Sequence, residues 1–147
     1  MIFFAQKAFV VCGSRLLMVR KSPLDPVHPK KWEVPGGRME EGETIDAQIV
    51  REVFEETGII VEPKAPFYMW QWTIPARKNP SARDTIVAVA RICSMSGGAI
   101  TNSHQVSSDN LDQVQWIELA EVNEIDVIPN MKPVLEAFFA FLNSNSD

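Results

Sequence analysis

Three glutamates, Glu52, Glu55 and Glu56, are spaced so that they can share one face of a helix. Residues three and four positions apart are neighbours on a helix surface, so this spacing places the carboxylates side by side. Two like charges about 4 Å apart repel by roughly 4 kcal/mol at the effective dielectric of a protein surface. Arg51 can pair with Glu55, but one guanidinium does not balance three carboxylates. The cluster therefore predicts a bound divalent cation.

The predicted ligands also indicate which cation this is. The stretch 37–59 contains no His or Cys, and carboxylate oxygens are the hard ligands that Mg²⁺ or Mn²⁺ prefers. These ions keep waters that phosphate oxygens can displace, so we expect a phosphorylated substrate. An isolated E-x-x-E-E is more often a solvated helix face. The rest of the stretch decides between the two interpretations.

The full stretch 37–59 matches the pattern G-x5-E-x7-R-E-U-x-E-E-x-G-U, in which U is aliphatic. The matching residues are Gly37, Glu43, Arg51, Glu52, Val53, Glu55, Glu56, Gly58 and Ile59. So many fixed positions in so short a span rarely coincide by chance. The stretch resembles the Nudix box of the MutT-like Nudix hydrolases, which cleave diphosphate linkages in nucleoside diphosphates joined to another group.

The resemblance implies a role for each charged residue of the box. Arg51 would orient a carboxylate, because its guanidinium stays protonated. Glu43 would be an auxiliary ligand and a further part of the catalytic set. The ligands of Mg²⁺ (or Mn²⁺) would be Glu52, Glu55, Glu56 and the carbonyl of Gly37.

The general base is not fixed by the box. Glu52 is one candidate, as both ligand and base. In some Nudix enzymes the base comes from a loop outside the box, and here that leaves Asp109 and Asp112, shortly before the last predicted strand. His104 is a weaker candidate. A lone Asp before a strand is more often a turn residue, so these assignments stay open.

The pattern around the box predicts an α/β domain. An N-cap at Thr44, apolar residues at helical spacing and a stop at Gly58 predict a helix over 45–57. Its predicted apolar face carries Ile45, Ile49, Val50, Val53 and Phe54. Apolar runs predict strands over 3–12, 15–20, 32–34, 59–61, 67–74, 84–93 and 113–119, and the chain ends with a short helix over 120–125 and an apolar helix over 129–143. Together with the resemblance, this order implies an α-β-α sandwich, a mixed sheet flanked by helices, in one domain over residues 1–147.

Some residues outside the helix are candidates for substrate binding. Alternate aromatic residues in the strand 67–74 share one face, which is usually core or a subunit contact and can also be a platform on which a base stacks. The polar loop 75–83 carries cations that can reach phosphates. The substrate-binding candidates are Arg38, Arg77, Lys78, Trp70 and Trp72.

Composition narrows the class of partner and compartment. The net charge of −5 argues against a binder of duplex nucleic acid and favours a small nucleotide-type substrate. The apolar N-terminal run is broken by Gln6 and Lys7, which predicts a first strand rather than a signal peptide or membrane segment. Cys12 and Cys93 lie in apolar runs, so we expect packed, reduced thiols and a cytoplasmic protein. A homodimer is left open.

The box does not choose among the family's substrates. The short chain, without the added N-terminal domain of larger ADP-ribose enzymes, favours a (deoxy)nucleoside triphosphate pyrophosphohydrolase. Pro75, sixteen residues past Ile59, resembles a feature of ADP-ribose pyrophosphatases, so an ADP-ribose or nucleotide-sugar pyrophosphatase is the alternative. A non-catalytic nucleotide or ADP-ribose sensor is less favoured, because degenerate domains of that kind have lost box glutamates and this chain keeps them.

Overall fold

The computed structural model describes residues 1–106 and 109–145. Two short 3₁₀ segments, Leu119–Glu124 and Pro129–Met131, precede the last helix. The strands are β1 (Ile2–Cys12), β2 (Arg15–Lys21), β3 (Trp32–Glu33), β4 (Gly36–Arg38), β5 (Ile59–Pro75), β6 (Arg83–Gly98) and β7 (Leu111–Glu118), and the helices are α1 (Ile45–Thr57) and α2 (Lys132–Ser144).

The strands of the described residues form one mixed sheet. Its main path is β3-β2-β1-β6-β5, with β1 and β6 parallel and the other pairs antiparallel. β1 pairs with β2 only near their shared turn, where Val11 lies opposite Leu16. Further back along β1, β4 takes the same edge and places Gly37 opposite Gln6. β2 therefore leaves the edge of β1 beyond their shared turn, and the glycine segment of the box pairs with β1 there instead.

Helices cover both faces of this sheet. Along β1, Phe9 faces the cluster that contains Phe138 of α2, whereas Ala8 and Val10 face the cluster that contains Ile49 of α1. This alternation is the period-two pattern of a strand that is buried on both faces. The predicted α/β class, with helices flanking a mixed sheet, is confirmed.

The region between the box and the loop 76–82 differs from the prediction. Two separate strands were expected over 59–61 and 67–74, but β5 runs without a break from Ile59 to Pro75. Pro63 and Pro66 lie within it, opposite Cys93 and Arg91, and the register shifts around both. Because β5 is the edge strand of the main path, it tolerates the missing N–H groups of the prolines.

Smaller expectations are also corrected. Cys12 is exposed, so the prediction of a packed thiol holds only for the buried Cys93. The segment expected as a short helix over 120–125 is 3₁₀, and α2 begins at Lys132 instead of residue 129. None of the helices in the described part of the chain is long and apolar enough to cross a membrane.

Candidate active site

The helix α1 begins and ends where its sequence predicts, but its buried face differs. Thr44 is the N-cap, and its hydroxyl accepts a hydrogen bond from the Ala47 N–H at 3.1 Å. Ile45 is 53% exposed and Phe54 is 37% exposed, so the predicted apolar face is wrong at both ends. Phe54 instead stacks on the imidazole of His104 outside the core, with 4.7 Å between the ring centroids.

Polar residues occupy much of the face that α1 turns inward. Gln48, Glu52 and Glu56 follow one another at intervals of four, and their exposures are 0%, 8% and 5%. They therefore form one stripe along the helix. Each of the three meets the backbone segment Gly36–Gly37 of β4.

The two glycines allow this close approach. The Gly36 N–H donates to Glu56 Oε1 at 2.8 Å, and the Gly37 carbonyl accepts from Gln48 Nε2 at 2.8 Å. A Cβ atom at Gly37 would lie 2.6 Å from Glu52 Oε1, and one at Gly36 would lie 2.1 Å from the backbone oxygen of Gln6. Side chains at these positions would push β4 away from α1 or from β1. The Gly37 carbonyl, predicted as a metal ligand, already uses part of its acceptor capacity on Gln48.

Arg51 lies among the remaining carboxylates of the box. Its Nε and Nη2 atoms donate to both oxygens of Glu43, at 2.6 and 2.9 Å. Its Nη1 atom is 3.2 Å from Glu52 Oε1 and also 3.2 Å from Glu55 Oε2, as the spacing of four predicted for Glu55. The hydrogen bond from Arg51 lowers the pKa of Glu43. Arg51 is therefore placed to orient three carboxylates.

This arrangement differs from a preformed cage. Within residues 1–106 and 109–145, no three Asp, Glu, His or Cys side chains converge closely enough to hold a metal ion as they stand. Glu55 turns towards Arg51, and Glu56 turns towards the Gly36 N–H. The oxygens of Glu52, Glu55, Glu56 and the glycine backbone are nevertheless all hard donors on neighbouring segments, which fits Mg²⁺ or Mn²⁺ better than Zn²⁺.

The buried carboxylates of this site lack sufficient positive charge. Burial raises the pKa of Glu52 to about 7, against the attraction of Arg51. Burial also raises the pKa of Glu56 well above its ordinary value, although Lys7 attracts its charge and the Gly36 N–H binds it. A cation beside these oxygens would favour their charged forms. The donor set therefore fits a divalent ion chemically as well as by ligand type.

Lys7, which is half-buried, and Glu33, which is buried, form an ion pair next to the box. Lys7 Nζ donates to Glu33 Oε1, and Lys21 Nζ lies 3.7 Å from the other oxygen of Glu33. Burial opposes the charged form of Glu33, but the two lysines outweigh it and lower its pKa. Sequence reasoning did not assign these residues to the site. The available signal was the polar pair Gln6 and Lys7, which interrupts an otherwise apolar strand.

The structure separates the candidates for a loop base. Burial raises the pKa of Asp109. The pKa values of Glu52 and Glu56 are raised mainly by their own burial and further by the negative charge of Asp109. Asp112 instead pairs with Arg20 at 2.7 Å, and this hydrogen bond lowers its pKa. Of the two aspartates, Asp109 is the one whose charge affects the pKa values of the box glutamates.

A cleft of about 610 Å³ opens beside the glycine segment. One wall is the aromatic stripe of β5, where the rings of Trp70 and Trp72 stack with 6.0 Å between centroids. Lys7, opposite Gly36 in the sheet, and Arg38, adjacent to Gly37, connect the cleft to the box. The other lining residues are Lys21, Asp25, Val27, His28, Glu33, Thr73, Ile74, Pro75, Ile128, Asn130 and Met131.

The predicted substrate contacts divide into two groups. Arg38, Trp70 and Trp72 line the cleft, and the Arg38 guanidinium also lies over the ring of Phe3, 4.8 Å from its centroid. Arg77 and Lys78 belong to the turn between β5 and β6 and are not part of that lining. The prolines of the stretch 21–31 predict a surface loop that leads to the site, and this loop does line the cleft. The contribution of residues 128–131 was not predicted, because only tertiary folding brings them to β5.

Comparison with known proteins identifies the relatives of this chain. The family model for the NUDIX domain matches residues 5–138. A MutT-like protein from Streptomyces ambofaciens is 33% identical over 110 residues, which are 75% of this chain and 59% of that protein. The phosphatase NudJ of Escherichia coli K12 is 30% identical over 92 residues, which are 62% of this chain and 54% of NudJ. The matched region thus spans little more than half of these relatives.

Solved structures share the fold along nearly the whole chain. A NUDIX hydrolase from Nitrosomonas europaea superimposes with a TM-score of 0.72 and 19% identity, covering 95% of this chain and 90% of that one. An ADP-ribose pyrophosphatase from Streptococcus suis superimposes with a TM-score of 0.66 and 19% identity, covering 99% and 92%. At these identities the likeness concerns the fold.

Proposed function

The chain belongs to the Nudix family, whose model matches residues 5–138, and from this we propose that it hydrolyses a diphosphate linkage in a nucleoside diphosphate derivative with the help of Mg²⁺. One observation carries the proposal. Two buried carboxylates, Glu52 and Glu56, meet the Gly36–Gly37 backbone, and the residues next to that segment, Lys7 and Arg38, line a cleft with an aromatic wall. Such a site can hold a cation, a diphosphate and a base next to one another.

Each group has a distinct task in this proposal. Glu52, Glu55, Glu56 and the carbonyl oxygen of Gly37 would hold Mg²⁺ or Mn²⁺. When bound, the ion offsets charge on the diphosphate and on the leaving phosphate. Glu43 forms a bidentate ion pair with Arg51 and so holds it in place. Arg51 in turn keeps the other carboxylates of the box oriented.

The chain's own cations and one aspartate complete the reaction. Lys7, Lys21 and Arg38 line the cleft, where they attract the phosphates of the substrate. Asp109 accepts the proton of the attacking water, because burial raises its pKa and its charge acts on Glu52. Trp70 and Trp72 stack against the base, a contact that contributes roughly 1 to 3 kcal/mol per base in other proteins.

The favoured substrate is a (deoxy)nucleoside triphosphate, which would be cleaved to a monophosphate and pyrophosphate. A specific observation supports the alternative of an ADP-ribose or nucleotide-sugar pyrophosphatase: Pro75, the residue expected from that resemblance, lines the cleft. The ADP-ribose pyrophosphatase of similar fold is consistent with it.

A panel assay tests the proposal and the choice of substrate. Nucleoside triphosphates, ADP-ribose and nucleotide sugars are incubated with the protein and either Mg²⁺ or Mn²⁺. The products measured are pyrophosphate from the triphosphates, and the nucleoside monophosphate with the sugar phosphate from ADP-ribose and the nucleotide sugars. Metal-dependent pyrophosphate release from triphosphates is expected, and it should disappear in Glu52→Gln. Tight nucleotide binding without turnover of any of these compounds would overturn the hydrolase assignment in favour of a sensor.

A further inference from the structure

Two fully buried amides connect the interior of the domain to the box. Gln6 of β1 is 1% exposed and Gln48 of α1 is 0% exposed. Gln6 Nε2 donates to Gln48 Oε1 at 2.6 Å and to the backbone oxygen of Ile45 at 2.6 Å, and Gln48 Nε2 donates to the Gly37 carbonyl at 2.8 Å. At the other end, Arg91 Nη1 donates to Gln6 Oε1 at 3.3 Å. We call this chain of hydrogen bonds, from Arg91 through Gln6 and Gln48 to Gly37, the amide relay.

The direction of the amide relay is fixed by Arg91. A guanidinium only donates, so the oxygen of Gln6 must face Arg91 and its NH₂ group must face Gln48. The oxygen of Gln48 is then turned to Gln6, and its NH₂ group is left to bind Gly37. Arg91 is itself held by the carboxylate of Asp46 at 2.7 Å and the backbone oxygen of Lys64 at 3.1 Å. Asp46, in the first turn of α1, thereby holds Arg91 in place, and Arg91 determines through Gln6 which way the amide of Gln48 points.

The relay acts where β4 meets the predicted cation ligands. Gln48 holds Gly37, and two turns further along α1, Glu56 holds the neighbouring Gly36. Between them, Glu52 packs so closely on Gly37 that no Cβ would fit. A shift of Gly37 therefore moves the backbone oxygens relative to both glutamates.

We propose that Gln6 and Gln48 are positioning residues for the divalent-cation site, which they serve by fastening β4 to α1. This rests on the proposed function, because it takes Glu52, Glu56 and the glycine backbone as the cation's ligands. Groups that orient metal ligands typically change metal affinity by about 10-fold to 100-fold when they are mutated. The relay does so here without contacting the ion.

Two variants break the relay in different ways. Gln48→Met keeps the bulk of the side chain and removes the donor to Gly37. Gln6→Glu keeps the acceptor that faces Arg91 but presents an oxygen to Gln48, which then turns its NH₂ group away from Gly37. The second variant leaves Gln48 and both glycines unchanged in sequence. Val134→Ala is the matched control, because Val134 is a buried residue of α2 in the core cluster that contains Phe138.

The experiment measures Mn²⁺ binding through the electron paramagnetic resonance signal of the free ion, well below each variant's melting temperature. The dissociation constant should rise about 10-fold in Gln48→Met and in Gln6→Glu, as for other groups that support metal ligands. It should remain unchanged in Val134→Ala, although that variant is also destabilised. Thermal melting of each variant establishes how much stability was lost.

The outcomes separate the relay from the site on which it depends. If the original protein binds Mn²⁺, Glu56→Gln weakens that binding and the relay variants bind as tightly as the original, the relay proposal is wrong and the cation site stands. Weaker binding in Val134→Ala by the same factor would also overturn the relay, since lost stability alone would then explain the change. If the original protein binds no Mn²⁺, both the proposed function and the relay are overturned.

Discussion

Glu33 and Glu56 are both buried carboxylates near Lys7, yet their ionisation is shifted in opposite directions. Lys7 donates a hydrogen bond to Glu33, and with Lys21 it lowers the pKa of Glu33 despite burial. At Glu56 burial dominates and raises the pKa, because the attraction of Lys7 and the bond from Gly36 do not offset it. The negative charge of Glu33 is thus balanced by neighbouring lysines, whereas the negative charge of Glu56 is not fully balanced.

This difference teaches how the two carboxylates serve the protein. Glu33 is part of the fold, because removing its charge would leave Lys7 half-buried without its partner. Glu56 is kept buried at a cost to the free protein, which is typical of functional groups whose pKa is perturbed. Variants that neutralise one carboxylate or the other should therefore have opposite consequences for stability and activity.

The largest effect is expected for Glu56→Gln. The variant keeps the shape and can still accept from the Gly36 N–H, but it loses the charge that attracts the cation. Hydrolysis should fall about 1,000-fold, since a metal ligand contributes several kcal/mol to the transition state. The melting temperature without metal should stay equal or rise, because a neutral amide replaces a buried carboxyl group whose ionisation is unfavourable. Steady-state assays and calorimetry measure both, and a large loss of stability would contradict the comparison.

Glu33→Gln should show the reverse pattern. Breaking one side of a buried ion pair costs about 3 kcal/mol of unfolding free energy. Urea denaturation measures this, and Glu118→Gln on the exposed pair with Arg15 is the control, for which little change is expected. An unchanged urea midpoint in Glu33→Gln would show that Glu33 is no more structural than a surface carboxylate.

Asp109, just before β7, and Asp112, within β7, differ in the same way as Glu56 and Glu33, but a smaller effect is expected. Asp109 has a pKa raised by burial, whereas Asp112 has a pKa lowered by its hydrogen bond from Arg20. Asp109→Asn should reduce the maximal rate about 100-fold, as expected for a lost general base. Asp112→Asn should leave the rate within a few-fold of the original. Equal losses in both would remove Asp109 from the base's role, and the pH profile of the rate would then be traced to Glu52.

The sequence was sufficient to predict those features of the site that depend only on residues close together along the chain. The spacing of Glu52, Glu55 and Glu56 depends only on helix geometry, and Arg51 reaches Glu55 at the predicted interval. The cap at Thr44 and the stop at Gly58 are likewise short-range signals, and both are found. A motif contained in one helix and its caps can therefore be predicted without knowledge of the tertiary structure.

Other features depend on distant segments and could not be predicted in the same way. Periodicity placed Phe54 in the core, but the sheet covers the face with Gln48 and Glu52 instead. Lys7 of β1 pairs with Glu33 of β3, a strand that hydrogen-bonds to β2, and no local pattern indicates that the two side chains meet. The cleft is assembled from β1, β5, the loop 22–31 and residues 128–131. The sequence indicated its aromatic wall, Arg38 and the loop, but not the contribution of residues 128–131.

The smallest effect expected is a pH-dependent response of stability to Mg²⁺. The pKa of Glu52 is about 7 in the folded protein, and that of Glu56 is also raised by burial. Between the ordinary glutamate pKa and pH 7, the folded state therefore binds more protons than the unfolded state, and the metal-free protein loses stability as pH rises. Glu33, whose pKa is lowered, acts in the opposite sense and contributes stability that is lost only in more acidic solution.

A bound cation favours the charged glutamates, so Mg²⁺ should raise the melting temperature more at pH 8 than at pH 5.5. Each kcal/mol of binding energy is worth about 2 to 4 °C in a domain of this size. Calorimetry at the two pH values, with and without Mg²⁺, measures the difference, and Glu52→Gln/Glu56→Gln should show no gain at either pH. An equal gain at both pH values in the original protein would mean that Mg²⁺ binds away from the buried glutamates, and the contrast between Glu33 and Glu56 would then have no bearing on the metal.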